Sequence, residues 1–331
     1  MPTLVTGGTG FIGTRLVRTL RKGGEAVHLL CRKTSDLTGV GEGVQLFYGD
    51  VTDRTSLSAP MSGCGQVYHL AGYARNWAPD AGIYHKVNVG GFVNVAEAAL
   101  ECGVRRVVFT STCLTLGPSN GHVTDEQTPR PTPVFFTDYE KTKHLAEQEA
   151  ERFVERGLSV VIVNPTRVYG PGKLTEGNSV ARMIAMFLRG RFPFTPGKGT
   201  EVGNYAYVDD VVNGHVAAMA KGRTGERYIL GGENISFDGF FRLLADLSGR
   251  KPPRFHLSPR LARGVARCEE LRVRAFGGYP LITPGWVETF RRDWAFSSRK
   301  AASEFGYSPR GLREGLGITC EWLTGDRADD Q

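Results

Sequence analysis

A glycine cluster close to the start of the chain restricts its fold more than any other feature. Residues 4–16 read LVTGGTGFIGTRL: an apolar run, a group of glycines, and then apolar residues at helical spacing. That order predicts a buried strand, a tight turn and an amphipathic helix that stops at Gly23 and Gly24. The glycines could alternatively belong to an ordinary loop, but the strand before them and the helix after them favour a ligand-binding turn.

The spacing of these glycines predicts the ligand. Gly8, Gly10 and Gly13 fit G-x-G-x-x-G, while Gly7, Gly10 and Gly13 fit G-x-x-G-x-x-G, and the sequence leaves both registers open. In either register, glycine lets the backbone of the turn approach a pyrophosphate at the positive end of the following helix. We therefore expect a dinucleotide to contact Gly7, Gly8, Thr9, Gly10, Phe11, Ile12 and Gly13.

Composition argues against several other classes of protein. The chain has 331 residues, of which 40% are hydrophobic and 23% charged, enough for two domains with a large core. No apolar run reaches the ~18 residues of a membrane span, and the first predicted strand begins almost at Met1, so we expect no membrane partner and no secretory leader. The net charge of +7 suits an anionic ligand, but the chain has no block of like charges and no nucleic-acid-binding motif.

The six cysteines are scattered along the chain without a C-x-x-C pair. This distribution predicts reduced thiols, with neither a disulfide nor a metal site. We therefore expect a cytoplasmic protein whose partner is a small molecule rather than nucleic acid or a membrane.

The end of the second predicted strand, residues 26–32, indicates which dinucleotide binds. A site selective for NAD places Asp or Glu here, ~20 residues after the glycines, to accept a hydrogen bond from the adenosine ribose. This chain instead has Arg32 and Lys33, cations suited to a 2′-phosphate, although they could simply begin a solvated loop. We expect NADP(H), with NAD as the alternative. Asp36 is the one nearby acid that would reverse this preference if the strand ended later.

Two further predicted strands, residues 44–48 and 66–70, end at the same crevice. In a doubly wound sheet, ligands lie outside the carboxyl ends of the strands. Asp50 is therefore expected to bond the adenine amine, or alternatively to cap the helix that begins near Arg54. The cofactor-binding residues expected at these two strand ends are Asp50, Val51, Leu70, Ala71 and Gly72.

A fifth predicted strand, residues 106–110, brings Ser111 and Thr112 into the crevice. Tyr139 and Lys143 follow on a helix, one turn apart on one face. A nearby ammonium favours the phenolate, which brings a tyrosine pKa of about 10 closer to the range useful for proton transfer. Because this spacing often arises by chance, the pair gains its meaning from the glycine turn and from the hydroxyls at the strand end.

Together these motifs resemble the extended short-chain dehydrogenases/reductases over nearly the whole chain. The phosphate loop of that family matches residues 6–13, its Tyr-x-x-x-Lys matches Tyr139 and Lys143, and its helix asparagine matches Asn88. Residues 164–172 match its segment passing the nicotinamide. The resemblance implies an α/β fold, a Rossmann-type doubly wound parallel sheet with a smaller C-terminal substrate domain. It also implies catalytic roles for Thr112, Tyr139, Lys143 and Ser111, and cofactor contacts from Asn88, Tyr139, Lys143, Pro165, Thr166 and Val168.

The two domains are predicted to be interleaved. Residues 1–165 form the dinucleotide-binding domain, to which residues 203–222 return. Residues 166–331 form the substrate domain, mainly through 166–202 and 223–331, where the composition changes to short helices and Gly-Pro loops.

Several segments are expected to line or cover the substrate pocket. Aromatic and basic side chains are available from two loops: Tyr73, Arg75 and Trp77 on one, and Phe192, Phe194 and residues 196–203 on the other. A basic amphipathic helix at residues 261–276 is expected to cover the pocket, with contact to a membrane surface as the alternative.

The leading hypothesis is an NADP(H)-dependent carbonyl reductase or alcohol dehydrogenase, similar to dihydroflavonol reductases and hydroxysteroid dehydrogenases of that family. The resemblance implies that Tyr139 donates the proton and Thr112 bonds the carbonyl oxygen, with Ser111 as a second donor. It implies that Lys143 lowers the Tyr139 pKa and holds the nicotinamide ribose. The alternative is a nucleotide-sugar epimerase or dehydratase with tightly bound NAD(P), although Gly203 stands where sugar-modifying relatives often carry Arg. A third hypothesis, a non-enzymatic redox sensor, is disfavoured because the catalytic residues are retained.

The resemblance also predicts a homodimer. In this family, two helices from each subunit often form a four-helix interface, and the corresponding helices here lie at about residues 85–102 and 139–156. Their apolar residues would serve equally well to pack on the chain's own sheet. These residues are Val89, Val93, Leu145 and Phe153.

Overall fold

The computed structural model describes residues 1–192, 194–280 and 282–325. Its strands are β1 (Thr3–Thr6), β2 (Val27–Cys31), β3 (Val44–Tyr48), β4 (Gln66–His69), β5 (Arg106–Thr110), β6 (Val160–Pro165), β7 (Arg167–Tyr169), β8 (Phe194–Pro196), β9 (Val202–Tyr207), β10 (Arg227–Leu230), β11 (Glu233–Ser236) and β12 (Phe255–Leu257). Seven of them form a parallel sheet in the order β10-β6-β5-β4-β1-β2-β3. The strand order reverses between β1 and β4, which places the crevice of a doubly wound sheet there. The predicted Rossmann-type fold is confirmed.

The helices divide between those that cover both faces of the main sheet and those that pack on the smaller sheets or on one another. They are α1 (Phe11–Lys22), α2 (Ser58–Met61), α3 (Gly82–Tyr84), α4 (Gly91–Glu101), α5 (Asp138–Glu155), α6 (Ser179–Leu188), α7 (Val208–Lys221), α8 (Phe237–Ser248), α9 (Pro259–Phe276), α10 (Pro284–Phe290), α11 (Arg299–Phe305) and α12 (Leu312–Thr324). A π-helical turn, His85–Gly90, joins α3 to α4. Among the described residues, no helix combines the length and the apolar character needed to cross a membrane.

The core has two halves, one on each face of the main sheet. Because neighbouring residues of a strand point to opposite faces, Val5 packs with Leu16 of α1 while Leu4 packs with Phe92 of α4. All four side chains are at most 2% exposed. The strands are therefore apolar on both faces, as expected of a parallel sheet.

The strand β10 corrects one part of the predicted domain division. Arg227–Leu230 pairs in parallel with Val160–Pro165 and forms the edge of the main sheet, although residues 223–331 were expected to belong to the substrate domain. A four-residue apolar strand carries no signal of which sheet it joins, since that choice depends on the position of the neighbouring strand.

The segment at residues 203–222 divides between two structures. Its helix, α7, packs against α1 and against β5 and β6 of the main sheet. Its strand, β9, instead pairs with β7 and β11 in a separate three-stranded sheet. This small sheet extends from the point where the chain leaves β6.

The apolar residues that predicted a dimer interface are used within the subunit. Val89 and Phe153 are 7% and 2% exposed in the core beneath the main sheet. Val93 and Leu145 are partly buried against the same cluster. Packing on the chain's own sheet therefore accounts for these four side chains, and the homodimer stays a prediction.

Candidate active site

The glycine turn connects β1 to α1 at the switch point of the sheet. Gly7 has a φ of +71°, and a Cβ on it would lie 2.5 Å from the main-chain nitrogen of Ala71. A Cβ on Gly13 would lie 2.2 Å from the Gly7 carbonyl oxygen. Gly10, which precedes α1, is exposed, and a Cβ there would meet only that same oxygen, at 3.3 Å. The sharp turn, the close packing and the open approach thus fall on Gly7, Gly13 and Gly10. Gly8 is also closely packed, since a Cβ there would lie 2.5 Å from the Leu29 side chain, so all four glycines of the two registers are used.

This turn fits a dinucleotide pyrophosphate. The first N–H groups of α1 have no intrahelical acceptor, and Gly10 at the N-cap has no side chain that could cap them. An anion at the open helix end would accept these hydrogen bonds and would be favoured by the helix dipole.

The other predicted cofactor and catalytic residues converge on the same edge. They follow, or in one case end, successive strands of the main sheet: Asp50 and Val51 after β3; Leu70, Ala71 and Gly72 after β4; Ser111 and Thr112 after β5; Pro165 at the end of β6, with Thr166 and Val168 next. Because all these strands are parallel, their carboxyl ends share one edge.

Gly72 and Asn88 form part of the floor of the crevice. Asn88 is 1% exposed; its Oδ1 accepts from the Tyr73 main-chain N–H at 2.7 Å, and its Nδ2 donates to Thr142 Oγ1 at 2.9 Å. A Cβ on Gly72 would lie 3.2 Å from Asn88 Oδ1 and 3.9 Å from Lys143 Nζ. The missing side chain at Gly72 therefore leaves room directly beside the buried amide and the buried ammonium.

Arg32 and Lys33 follow the end of β2 directly. The strand stops at Cys31, and both cations are exposed. Asp36 pairs with Lys173 at 2.7 Å, and hydrogen bonds from Lys173 and Thr38 hold the pKa of Asp36 far below its usual range. The strand does not extend to Asp36, so the condition that would have favoured NAD is not met.

Asp50 does not cap a helix. Its Oδ1 accepts from the N–H and the hydroxyl of Thr52, both at 2.9 Å, and this local turn occupies that oxygen. Asp53 instead caps the 3₁₀ turn Arg54–Leu57 by accepting from Thr55 N at 3.0 Å. The capping alternative for Asp50 is wrong, and its contact with adenine stays a prediction.

Tyr139 and Thr112 meet in the crevice. Tyr139 lies in the first turn of α5 and is partly buried, and the Thr112 side chain lies near enough to its phenol to influence the Tyr139 pKa. Burial raises the pKa of Tyr139 above its ordinary value, and the Thr112 side chain opposes that rise only in part. The hydroxyl of Ser111 is buried and has no hydrogen-bond partner among the described residues, so it is free to bond a ligand.

Lys143 is buried one turn further along α5. Its Nζ donates to the Thr110 carbonyl oxygen at 2.6 Å and lies 4.3 Å from the centre of the Phe109 ring. Burial lowers the pKa of Lys143 to about 7, while the charge of Glu147 opposes the fall. The sequence led us to expect that Lys143 lowers the pKa of Tyr139. The structure instead shows that burial, which disfavours the charged form of each group, controls both residues.

The sequence reasoning missed a buried carboxylate behind this pair. Glu147 is 1% exposed, and its Oε1 accepts from Asn164 Nδ2 at 2.7 Å and from Thr115 Oγ1 at 2.9 Å. Arg227 of β10 approaches its Oε2 at 3.6 Å. Glu147 stands four residues after Lys143, so the helical spacing already placed the two on one face.

The loop after β4 is tied to the segment that follows α9. The Tyr279 hydroxyl donates to Glu176 at 2.6 Å and accepts from the main-chain N–H groups of Asn76 and Trp77 at 3.1 Å. The Trp77 and Tyr279 rings meet edge to face at 5.8 Å. The predicted helix at 261–276 is confirmed as α9.

The two phenylalanines predicted to line the pocket pack against other aromatic rings. Phe192 stacks on Phe241 at 5.0 Å, and Phe194 contacts Phe255 at 6.2 Å. These contacts use both rings in the packing of the second domain.

Comparisons with known proteins agree with this architecture. Residues 3–231 match the NAD dependent epimerase/dehydratase family. Sterol demethylase protein B of Methylococcus capsulatus is 33% identical, over 98% of each chain. The crystal structure of gox2253 superposes with a TM-score of 0.82 at 35% identity, covering 97% of each chain. MoeE5 in complex with UDP-glucuronic acid and NAD gives a TM-score of 0.76 at 29% identity, covering 97% of this chain and 98% of that one.

The glycine turn, the Tyr139–Lys143 pair and these similarities lead to one assignment. The chain belongs to the NAD-dependent epimerase/dehydratase family of extended short-chain dehydrogenases/reductases.

Proposed function

We propose that the protein is an NADP(H)-dependent oxidoreductase that interconverts a carbonyl and an alcohol on a small organic substrate. The observation that carries this proposal is that Tyr139, Lys143 and Thr112 come together at the carboxyl edge of the sheet, where the buried Lys143 ammonium donates to the carbonyl of Thr110, two residues before Thr112. A phenol, a hydroxyl and an ammonium in one crevice supply a proton, a hydrogen bond and a positive charge where an alkoxide would form.

The dinucleotide would be held by the residues at the strand ends. Gly7 to Gly13 would face the pyrophosphate of the dinucleotide, and Asp50 and Val51 would face its adenine. The main chain of Leu70 to Gly72 would run alongside the cofactor. Asn88, Pro165, Thr166 and Val168 would border the nicotinamide half. When bound, the cofactor supplies or accepts the hydride.

The side chains of the chain itself handle the proton. Because burial raises the pKa of Tyr139, the phenol stays protonated over a wide pH range, which suits it to donate a proton to the carbonyl oxygen during reduction. Thr112 would hold that oxygen, and the unpartnered Ser111 hydroxyl would be the second donor. Lys143 would hold the ribose hydroxyls with its remaining N–H groups.

The preference for NADP(H) is supported by the end of β2. Two exposed cations, Arg32 and Lys33, stand where a selective NAD site carries an acid, and Asp36 is engaged by Lys173. NAD stays the alternative.

A nucleotide-sugar epimerase or dehydratase with tightly bound NAD(P) is the second candidate. Gly203 counted against it because an arginine is common there. However, the guanidinium of Arg167 occupies the space beside Gly203, where a Cβ would lie 3.2 Å from its Cζ. A cation for a diphosphate is therefore available from another strand.

The experiment is a paired assay of the native protein and Tyr139→Phe. We expect the native protein to consume NADPH in the presence of at least one member of a ketone and aldehyde panel, and Tyr139→Phe to lose that turnover by about 100-fold or more while still binding NADPH. An epimerase would instead convert UDP-glucose or UDP-glucuronic acid, followed by NMR, without net NADPH consumption. Full turnover by Tyr139→Phe would overturn the assignment of the proton donor, and hydride transfer to no carbonyl would favour the sensor hypothesis.

We also propose a cytoplasmic homodimer that acts on this small-molecule substrate. The scattered cysteines, all free thiols, support the location. Light scattering that gives the mass of a monomer at micromolar protein would exclude the dimer.

A further inference from the structure

Arg167 occupies a cage of aromatic rings at the start of β7. It follows directly after Pro165 and Thr166, the segment proposed to border the nicotinamide. Its guanidinium carbon lies 5.0 Å from the centre of the Phe237 ring and 5.2 Å from that of Phe290. The Tyr205 ring, at 5.6 Å, forms the third wall.

The cage is a rigid part of the fold. Phe237 and Tyr205 are at most 2% exposed, and Tyr205 stacks on Phe240 at 4.5 Å. Gly203 lies on the neighbouring strand, and its lack of a side chain makes the room for the guanidinium. Buried neighbours, rather than solvent-exposed loops, therefore fix the position of the Arg167 guanidinium.

The hydrogen bonds of Arg167 are largely unmade. A guanidinium has five N–H donors, yet the one bond found for its side chain runs to the Tyr205 hydroxyl at 3.5 Å, the limit of a hydrogen bond. No carboxylate among residues 1–192, 194–280 and 282–325 forms an ion pair with it.

Most other arginines that stack on rings in the described part of the chain have acidic partners; Arg75, which lies over the Tyr73 ring without one, is exposed to solvent. Arg130 pairs with Glu140, Arg292 with Glu288 and Arg310 with Asp210, while each also lies over an aromatic ring. Arg167 has the ring contacts without the acid. A partly buried cation that lacks a carboxylate partner is poised to bind an anion from outside the chain.

The cage also lies near the loop that carries Thr112. Burial raises the pKa of the Cys113 thiol to about 12, and the charge of Arg167 opposes that rise. Cys113 directly follows Thr112 and packs in one cluster with Trp294. Trp294 pairs with Gly203, beside which the Arg167 guanidinium lies. Packing therefore connects the aromatic cage to the loop that carries Thr112, and this side of the crevice is where we place the substrate.

We propose that Arg167 binds an oxyanion of the substrate, a carboxylate or a phosphate, and that the rings of Tyr205, Phe237 and Phe290 hold its guanidinium in place for that contact. The rings contact the face of the guanidinium, while its edge carries the N–H groups that pair with an oxyanion in bidentate fashion. This inference deepens the proposed function and rests on it only in taking the crevice as the substrate site.

The test measures binding without turnover, so that it stands apart from the test of the reaction. Calorimetry on the full chain with saturating NADP⁺ would compare 4-acetylbenzoate with the neutral 4-acetylbenzamide, and 4-acetylphenyl phosphate with 4-acetylphenol. We expect the native protein to prefer at least one anion to its neutral partner by about tenfold or more. The pair that shows the preference identifies the carboxylate or the phosphate as the recognised group.

Variants assign that preference to Arg167. We expect Arg167→Ala and Arg167→Gln to abolish it while binding the neutral compound and NADP⁺ with native affinity, and Arg167→Lys to retain part of it, because an ammonium is a point charge without the bidentate edge. Arg292→Ala is the matched control, since that arginine also stacks on a ring but is paired with Glu288, and it should keep the full preference.

Three results would overturn the proposal. The first is that the native protein shows no preference for either anion, which includes no binding at all. The second is that Arg167→Gln loses the same affinity for the anion as for the neutral compound. The third is that Arg292→Ala loses the preference in the same way. Activity on neutral ketones by the same preparations would show that the reductase assignment holds even if the oxyanion site fails.

Discussion

The carboxylate of Glu147 accepts a hydrogen bond from the side-chain amide of Asn164 at 2.7 Å, behind the catalytic pair. Asn164 also donates to the main-chain carbonyl of Thr112 at 3.0 Å, and Thr115 contacts both that carbonyl and Glu147 at 2.9 Å. The buried Glu147 carboxylate thus holds the backbone of Thr112 in place. Its role is to position Thr112, through two intermediate side chains.

Replacing Glu147 should therefore destabilise the protein much more than replacing its neighbour one turn on. Glu147→Ala removes the buried acceptor that Asn164 and Thr115 share, so that both must rely on the Thr112 carbonyl, and we expect it to lower the free energy of unfolding by about 2–4 kcal/mol. Glu151→Ala is the control: Glu151 approaches the same Arg227, at 3.3 Å, but its side chain is 56% exposed, so we expect a loss of roughly 0–1 kcal/mol. Urea unfolding measures both values, and similar losses would contradict the positioning role. Glu147→Gln keeps one acceptor oxygen and should recover most of the stability.

Three glycines should respond differently to alanine. In Gly13→Ala the new methyl group would lie 2.2 Å from backbone, so we expect a loss of stability of about 3 kcal/mol or more. Gly10→Ala meets a single atom at 3.3 Å, so the protein should fold but bind NADPH weakly, because the methyl group points into the open approach. Gly317→Ala, in the interior of α12 with open space around it, should gain about 0.5–1 kcal/mol. Thermal unfolding and NADPH titration together would separate the three, and native NADPH affinity in Gly10→Ala would contradict the pyrophosphate site.

Arg32→Ala should weaken the binding of NADPH and leave that of NADH nearly unchanged. A charge-assisted, paired contact with a 2′-phosphate corresponds to about 1.5–3 kcal/mol, or roughly 10- to 150-fold in Kd. Arg105→Ala, an exposed arginine just before β5 at the opposite end of the sheet, should change neither constant. Tighter native binding of NADH than of NADPH, or an equal loss for both in Arg32→Ala, would show that Arg32 does not contact the phosphate.

Buried His215 should make the protein sensitive to acid. Its Nδ1 bonds the Val211 carbonyl at 2.7 Å and its Nε2 the Thr110 hydroxyl at 3.0 Å, and burial lowers its pKa from 6.5 to about 4. Below pH 6.5 the His215 imidazole binds a proton in the unfolded chain, whereas in the folded protein it stays neutral until the pH nears 4. The stability that His215 contributes is therefore full above pH 6.5 and falls as the pH drops towards 4, by about 3 kcal/mol in all. His215→Gln should flatten this decline in the free energy of unfolding, whereas His122→Gln, on the surface, should not. An unchanged slope in His215→Gln would count against the burial of a neutral imidazole.

Local signals were enough to predict the fold class and which residues follow the carboxyl ends of the strands. Gly7, Gly10 and Gly13 are informative because a sharp turn and a close contact can be met only without a side chain, and that requirement shows in the sequence itself. Tyr139 and Lys143 are informative because a helix sets their separation by its own geometry. Because the strands are parallel, the loops that follow them all lie at the same edge of the sheet.

The tertiary structure decided what depends on distant neighbours. The strand β10 joins the main sheet because β6 offers it a free edge, and nothing in its four residues encodes that partner. The pKa values of Tyr139 and Lys143 depend on how much protein surrounds each group, so the expected lowering at Tyr139 could not be read correctly from spacing alone. Arg167 is the clearest case: its aromatic walls come from three separate elements, β9, α8 and α10, and only the folded chain shows that no carboxylate of the described residues pairs with it.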